Sequence, residues 1–435
     1  MNEGRTAVIP ISFAQRRLWF IDRLEGPSAV YNVPFVLRLR GDLDVDGLRA
    51  ALRDVVVRHE GLRTVFAEDD DGTLTQRVVP VEALAVPFSV HDSRPDEVDA
   101  AIAEAVTHRF ELSSDIPVWA RLLRCSRTEH VLVLVIHHVA VDGESMAPLA
   151  RDLSAAYTAR HGGVAPDWAE LPVQYGDYTL WQRELLGDDQ DPDSVLSRQL
   201  GYWRRELAGS PDQLRLPTDR PRPAEASHRG DVVAVDIEPG LVAALRDLAL
   251  AKEMTLAMVM QAGLAVLLHH LGAGEDITMG ATIAGRTDEA LADLVGFFVN
   301  TWVLRTDLAG NPTLDRVLDQ VRDKALSAYD NQDAPFERVV EAVNPERSTA
   351  YHPLFQVMFT WQSEPSVALD LPGVTARLEA VGTGTAKFDL EFNLAEGDAD
   401  VGMRCDLEYA TDLFDRDTAE AIGRRYVQVL RGLAG

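Results

Sequence analysis

Val131-Leu132-Val133-Leu134-Val135-Ile136 runs without a break into His137-His138-Val139-Ala140-Val141-Asp142-Gly143, and this stretch decides how the chain folds. A wholly aliphatic run rich in β-branched residues suits a strand buried on both faces, as in the centre of a sheet covered by helices. Such a strand delivers two imidazoles to its carboxyl end, where α/β proteins commonly place their binding and reacting groups. A carboxylate follows four residues after the second imidazole, with a glycine behind it.

Outward from this run, Val118–Cys125 reads as a neighbouring strand, joined to it by the polar turn Ser126-Arg127-Thr128-Glu129. Upstream, Phe35–Leu39 reads as a strand and residues 45–60 as a helix, with Val45, Leu48, Leu52, Val55 and Val56 on one face. Strands are expected near 73–79 and 88–90, with a helix near 97–110. Downstream, a helix begins after Gly143 and runs to about Arg160. A looser zone follows, and 209–227, rich in Pro, Asp and Arg, reads as a linker. The β/α alternation then resumes: strands at 231–236, 276–283, 298–305, 355–361, 386–394 and 402–409, and helices at about 240–252, 255–271, 312–329 and 415–433. The pattern predicts mixed α/β halves, 1–175 and 176–435, with the His-His motif only in the first.

Composition narrows the function classes. The chain has 435 residues, 46% of them hydrophobic and 26% charged, as expected for a globular protein of more than one domain. Its net charge of −27 argues against nucleic-acid or anionic-membrane partners. No run approaches the ~18 apolar residues of a membrane span, and the opening Met1-Asn2-Glu3-Gly4 lacks a secretion signal. Cys125 and Cys405, far apart, fit small core residues in a reducing cytoplasm.

An imidazole that titrates near neutrality can take a proton from an attacking amine or hydroxyl, which makes His138 a candidate base. Asp142 can cap the following helix, and Gly143 can offer a backbone N–H to an oxyanion. Adjacent histidines on a strand point to opposite faces, so His137 and His138 do not converge on one metal. Walker and dinucleotide fingerprints and a Gly-x-Ser-x-Gly elbow are absent from the sequence.

His137-His138-x-x-x-Asp142-Gly143 resembles the signature of the chloramphenicol acetyltransferase superfamily and, within it, the condensation domains of non-ribosomal peptide synthetases. Other segments resemble further motifs of that family in order: Ser12-Phe13-Ala14-Gln15-Arg16-Arg17-Leu18-Trp19, Arg58-His59-Glu60-Gly61-Leu62-Arg63, Tyr175-Gly176-Asp177-Tyr178, Gly296-Phe297-Phe298-Val299-Asn300-Thr301, Asn331-Gln332-Asp333-Ala334-Pro335-Phe336, and Pro353-Leu354-Phe355. Each alone is weak, and each has an ordinary reading as packing or helix-end residues. Their order along the whole chain carries the resemblance.

The resemblance implies a mixed α/β fold of two acetyltransferase-like lobes in a V, with the active site in a tunnel between them. It places a floor loop near 285–296 and a latch near 381–387. It implies an acyltransferase that moves an acyl or peptidyl thioester donor onto the amine of an aminoacyl thioester acceptor. Both arrive on phosphopantetheine arms of upstream and downstream peptidyl carrier proteins, with an adjacent adenylation domain and no cofactor or metal bound directly. By that likeness His138, Asp142 and Gly143 are catalytic; His137, Arg286 and Arg63 organise the site; Glu144, Ser145, Asn300 and Gln332 line the tunnel. Arg286 is the expected partner of Asp142, and exchange of the two charges is a test of the pair. Glu144 stands where many relatives carry Trp. His137 argues against the heterocyclising branch, which has Asp there, and the opening motif favours condensation over epimerisation. The segment through Tyr31-Asn32-Val33-Pro34 resembles the class taking L-configured donors. The chain closes on a helix without an adenylation or carrier segment, so origin within a larger synthetase is expected. An ester-forming carrier-dependent acyltransferase and an inactive docking module are the alternatives.

Overall fold

The computed structural model describes residues 9–68, 72–363, 369–396 and 402–435; the opening Met1-Asn2-Glu3-Gly4 lies outside them. The chain forms two compact units that interleave in sequence. The first comprises Met1–Leu185, Arg286–Val299 and Pro365–Thr383; the second comprises Leu186–Gly285, Asn300–Glu364 and Gly384–Gly435.

The first unit is built on a mixed sheet ordered Asp370–Leu371, Val374–Glu379, Asn32–Gly41, Glu129–His137, Val118–Arg124 and Phe88–Asp92. Every pairing is antiparallel except that of Phe88–Asp92 with Val118–Arg124. The aliphatic strand Glu129–His137 sits in the interior of the sheet, and Val131 through Ile136 are all buried. Its register places Asn32 beside His137 on one neighbour and Val118 beside Ile136 on the other. Helices Val45–Arg58 and Met146–His161 pack on each other, and the periodic face Leu48, Leu52, Val55 and Val56 is buried as its spacing requires. A small sheet of Ile9–Pro10, Leu74–Val78 and Thr64–Glu68 completes the unit.

The second unit has its own six-stranded mixed sheet, ordered Asn300–Asp307, Asp276–Ile283, Val357–Ser363, Leu390–Glu396, Met403–Ala410 and Gly230–Ile237. Helix Arg416–Ala434 packs on Leu256–His270, Pro239–Ala251 and the strand Gly230–Ile237. Among the described residues no single helix is long and apolar enough to cross a membrane; one sharply bent pair, Pro239–Ala251 with Leu256–His270, has the length and composition only when taken together.

Several expectations need correction. The zone expected to be loose holds two helices, Tyr175–Leu186 and Val195–Glu206. Segment 209–227 carries no regular element, yet it is stitched to the second unit. Leu214 N–H donates to Gln356 Oε1 at 2.8 Å, and Arg222 Nη1 donates to the buried Asp389 at 2.8 Å. The helix expected to reach residue 110 is Val98–Val106 and stops there, and the strand expected from 298 begins at Asn300. The strand Val374–Glu379 went unforeseen, because its alternating and largely polar pattern carries no aliphatic run. Cys405 is buried, and Cys125 is half-buried against the first unit's core.

Candidate active site

The strand Glu129–His137 ends in a single turn of 3₁₀ helix, His138–Ala140. At the junction the two imidazoles take separate roles. The His137 backbone N–H donates to Pro117 O at 3.0 Å, while that of His138 donates to Tyr31 O at 2.8 Å on the other neighbour. The His137 ring packs edge-on to Phe110 at 5.9 Å, and its Nδ1 accepts the Val139 N–H at 3.1 Å. The His138 ring instead meets Phe297, with centroids 4.8 Å apart. Among the described residues no three His, Cys, Asp or Glu side chains form a metal-ligand group.

His138 Nδ1 lies 2.6 Å from the Val141 carbonyl oxygen. A carbonyl only accepts, so Nδ1 carries the hydrogen and the lone pair of the neutral ring sits on Nε2. The carbonyl on the other side of the turn, Val139 O, accepts Gln15 Nε2 at 3.3 Å. Gln15 also closes a capping box with Ser12 at the start of helix Phe13–Glu25. The opening motif is thereby tied to the histidine turn through one side-chain amide.

Asp142 is 2% exposed and serves two purposes. It caps the next helix, because Oδ1 accepts the Ser145 N–H at 3.0 Å. It also accepts Arg286 Nη2 on Oδ1 at 3.0 Å and the Phe298 N–H on Oδ2 at 2.9 Å. Ser145, fully buried, lies between these groups: its hydroxyl donates to Asp142 Oδ1 at 2.7 Å and accepts Gly296 N–H at 3.1 Å and Arg286 Nη2 at 3.0 Å. Arg286 uses Nη1 on two carbonyls, Leu291 O and Leu294 O, at 2.5 and 2.9 Å, and lies 4.1 Å from the Phe298 ring centroid. Gly296 leaves no room for a side chain, since a Cβ there would fall 2.5 Å from the Tyr175 ring.

Behind this hub is a second buried histidine that the motif alone did not single out. His59, 1% exposed, donates from Nε2 to Asp152 Oδ2 at 2.9 Å and accepts the Val295 N–H on Nδ1 at 3.4 Å. Burial pushes its pKa down and outweighs the adjacent carboxylate, so His59 is neutral. Burial alone would raise Asp152, but hydrogen bonds from His59 and Arg151 pull its pKa down to about 2. Arg58 Nε also reaches Asp152 at 2.8 Å. Tyr175, whose ionisation burial pushes well above the ordinary range, donates its hydroxyl to Phe297 O at 2.6 Å and lies 3.0 Å from Ser12 Oγ. Asp152 sits on a helix in no recognisable motif, and nothing in its local sequence signals the role.

Of the other residues singled out from the sequence, Arg63 is buried and bonds Val79 O at 2.7 Å and Glu60 Oε1 at 3.1 Å, which holds the turn before strand Thr64–Glu68. Glu144 and Gly143 are exposed, and a Cβ built on Gly143 would meet nothing within 4 Å. Asn300 and Gln332 lie in the second unit. Asn300 is engaged on both amide atoms, donating Nδ2 to Gln332 O and Ala334 O at 2.9 and 2.8 Å and accepting Phe336 N–H at 3.1 Å. It staples residues 332–336 to the first turn of helix Phe336–Val343.

The fold and the histidine–aspartate hub define a class, and the comparisons agree. The family model for the condensation domain matches residues 5–435, and the chain belongs to that family. It is 53% identical over 431 residues to the probable non-canonical nonribosomal peptide synthetase (NRPS) CymA of Salinispora arenicola (strain CNS-205), covering 99% of this chain and 6% of that one. It is 49% identical over 431 residues to the dimodular nonribosomal peptide synthase of Bacillus subtilis (strain 168), covering 98% of this chain and 18% of that one. The chain thus spans less than a fifth of either relative. Among solved structures it is similar to the X-domain from teicoplanin biosynthesis, at 36% identity and a TM-score of 0.91, covering 99% of this chain and 96% of that one.

Proposed function

We propose that this chain forms amide bonds within a non-ribosomal peptide synthetase, transferring a carrier-bound acyl or peptidyl thioester, of the L-donor type, to the amine of a carrier-bound aminoacyl acceptor. The observation that carries the reading is the protonation pattern of His138: its Nδ1–H is committed to Val141 O, so Nε2 holds the lone pair. Nε2 takes a proton from the acceptor amine as its nitrogen attacks the donor thioester carbonyl, the C–S bond of the tetrahedral adduct breaks, and that proton passes to the departing sulfur, which releases the donor arm as a thiol and restores Nε2. Asp142 and Arg286 hold the turn and do not exchange protons with substrate. The carriers and an adenylation domain would belong to the same assembly line, in the cytoplasm. The phosphopantetheine arms belong to the carriers and supply the thioesters; the chain itself supplies the base and the positioning. Positioning of two tethered substrates contributes about 7–11 kcal/mol, whereas a general base adds about 10²–10⁴-fold.

Single-turnover mass spectrometry with one donor-loaded and one acceptor-loaded carrier tests the reading. Transfer of the donor mass to the acceptor by wild type, slowed at least a hundredfold by His138→Ala, is the expected result. Transfer only to hydroxyl acceptors would replace it with ester formation. A second reading, a recruiting module without turnover, draws on the likeness to the X-domain, which has been solved in complex with OxyB from the same biosynthesis. Carrier binding with no transfer to any acceptor would favour it.

Gly143 gives a cleaner probe, because an added methyl meets no protein atom. Gly143→Ala should melt at the wild-type temperature yet transfer about tenfold more slowly, since the methyl enters the space the substrates need. Equal rates would remove Gly143 from the substrate path.

A further inference from the structure

The segment Val295–Phe298 belongs to no helix or strand, yet each of its residues is held through the backbone by a side chain from elsewhere. Val295 N–H donates to His59 Nδ1, Gly296 N–H to Ser145 Oγ, and Phe298 N–H to Asp142 Oδ2, while Phe297 O accepts the Tyr175 hydroxyl. These four partners come from three separate places along the chain, at His59, at the Asp142–Ser145 turn and at Tyr175. Backbone outside regular structure is normally tied at a few points, and here the ties continue through every residue. What they immobilise between them is one ring. Phe297, 8% exposed, lies with its centroid 4.8 Å from that of His138 and its plane at 60° to it.

We propose that Phe297 is a positioning residue for His138. The inference rests on the condensation reading for its kinetic consequence, although its structural half stands alone. The Val141 carbonyl decides which nitrogen of His138 carries hydrogen, and the ring packed beside it decides how far the imidazole can rock about Cβ–Cγ. Phe297 is a rigid wall against the ring. It excludes water from that side and removes the room a flipped ring needs. His59, Ser145, Asp142 and Tyr175 act one step further back, fixing the wall through its own backbone. Arg286 steadies the same segment by stacking on Phe298 and bonding Leu294 O. The direction of Nε2 toward the acceptor is therefore set by an aromatic from outside the His-His motif.

The test uses Phe297→Leu, which keeps apolar bulk and removes the planar wall, with Phe297→Met as the second variant should the first fail to fold. Protein labelled with ¹⁵N-histidine reports the His138 tautomer directly, its signals assigned by their loss in His138→Gln. In wild type the two ring nitrogens should show one fixed Nδ1–H pattern. In Phe297→Leu the pattern should average between tautomers, kcat should fall about ten- to hundredfold, and KM for the loaded acceptor carrier should stay within twofold. A wild-type nitrogen pattern in both variants overturns the proposal. So does an unchanged kcat, or a kcat that falls while the pattern stays fixed. If wild type transfers nothing to any acceptor, the condensation reading falls, and the nitrogen pattern still decides whether Phe297 holds the ring.

Discussion

Asp142→Ala is expected to lower the unfolding free energy by about 3–5 kcal/mol, because it leaves a buried guanidinium without its carboxylate. The Arg286 side chain is 8% exposed and that of Asp142 2%. Removal of the carboxylate also orphans the Phe298 N–H, which is then buried without an acceptor, and leaves the Ser145 N–H only the Asp142 backbone carbonyl at 3.1 Å. Arg286→Met should cost less, since Asp142 would keep the Ser145 and Phe298 donors. Exchange of the two charges, Asp142→Arg with Arg286→Asp, is not expected to restore stability. The surroundings are not symmetric: N–H donors surround Asp142, while the carbonyls of Leu291 and Leu294 face Arg286. A double-mutant cycle on Asp142→Asn and Arg286→Met, read by urea unfolding, measures the pair properly. A coupling below about 0.5 kcal/mol would show that the two groups are stabilised by their separate hydrogen bonds and not by each other.

The second large effect is expected at Asp152. Its folded pKa of about 2 lies below the ordinary value of 3.8. A depressed carboxyl pKa contributes stability that is complete above the unfolded value and is lost as pH falls through the folded one. Wild type should therefore lose about 2 kcal/mol from this group between roughly pH 4 and pH 2. Asp152→Asn should be destabilised at pH 7 by about 3 kcal/mol, since Arg58 and Arg151 lose their anion and only one acceptor oxygen remains for the three donors that shared two. The gap between the two proteins should narrow toward pH 2, where the wild-type carboxyl is itself protonated. Unfolding curves at pH 7, 5 and 3 give the comparison; a gap that stays constant with pH would mean that packing, and not charge, governs the site.

The elements that could be read from local sequence were those with a single strong period. The aliphatic run before His137 has no stable place except between two strands and under helices. The helix Val45–Arg58 declares itself by its apolar stripe. Where the pattern was weak, local reading failed: Val374–Glu379 is a strand because Asn32–Gly41 offers it an unpaired edge. Val195–Glu206 has its own cap at Ser194 and a buried face of Leu196, Leu200 and Trp203, and the Asp- and Pro-rich stretch before it masked both. Phe297 and His59 stand inside quoted motifs, yet neither motif says what the residue touches.

By itself the sequence determined the family, the mixed α/β class, and the order in which imidazole, carboxylate and glycine follow the central strand, because these depend on residue types and on spacing along one short segment. Only the tertiary structure decided which nitrogen of His138 holds the lone pair, that the Phe298 N–H joins the expected Arg286 on Asp142, and that residues 286–299 and 365–383 belong with the first unit. Those outcomes turn on hydrogen bonds and packing between residues more than a hundred positions apart, or on a carbonyl whose direction a single turn sets, and no local pattern encodes either.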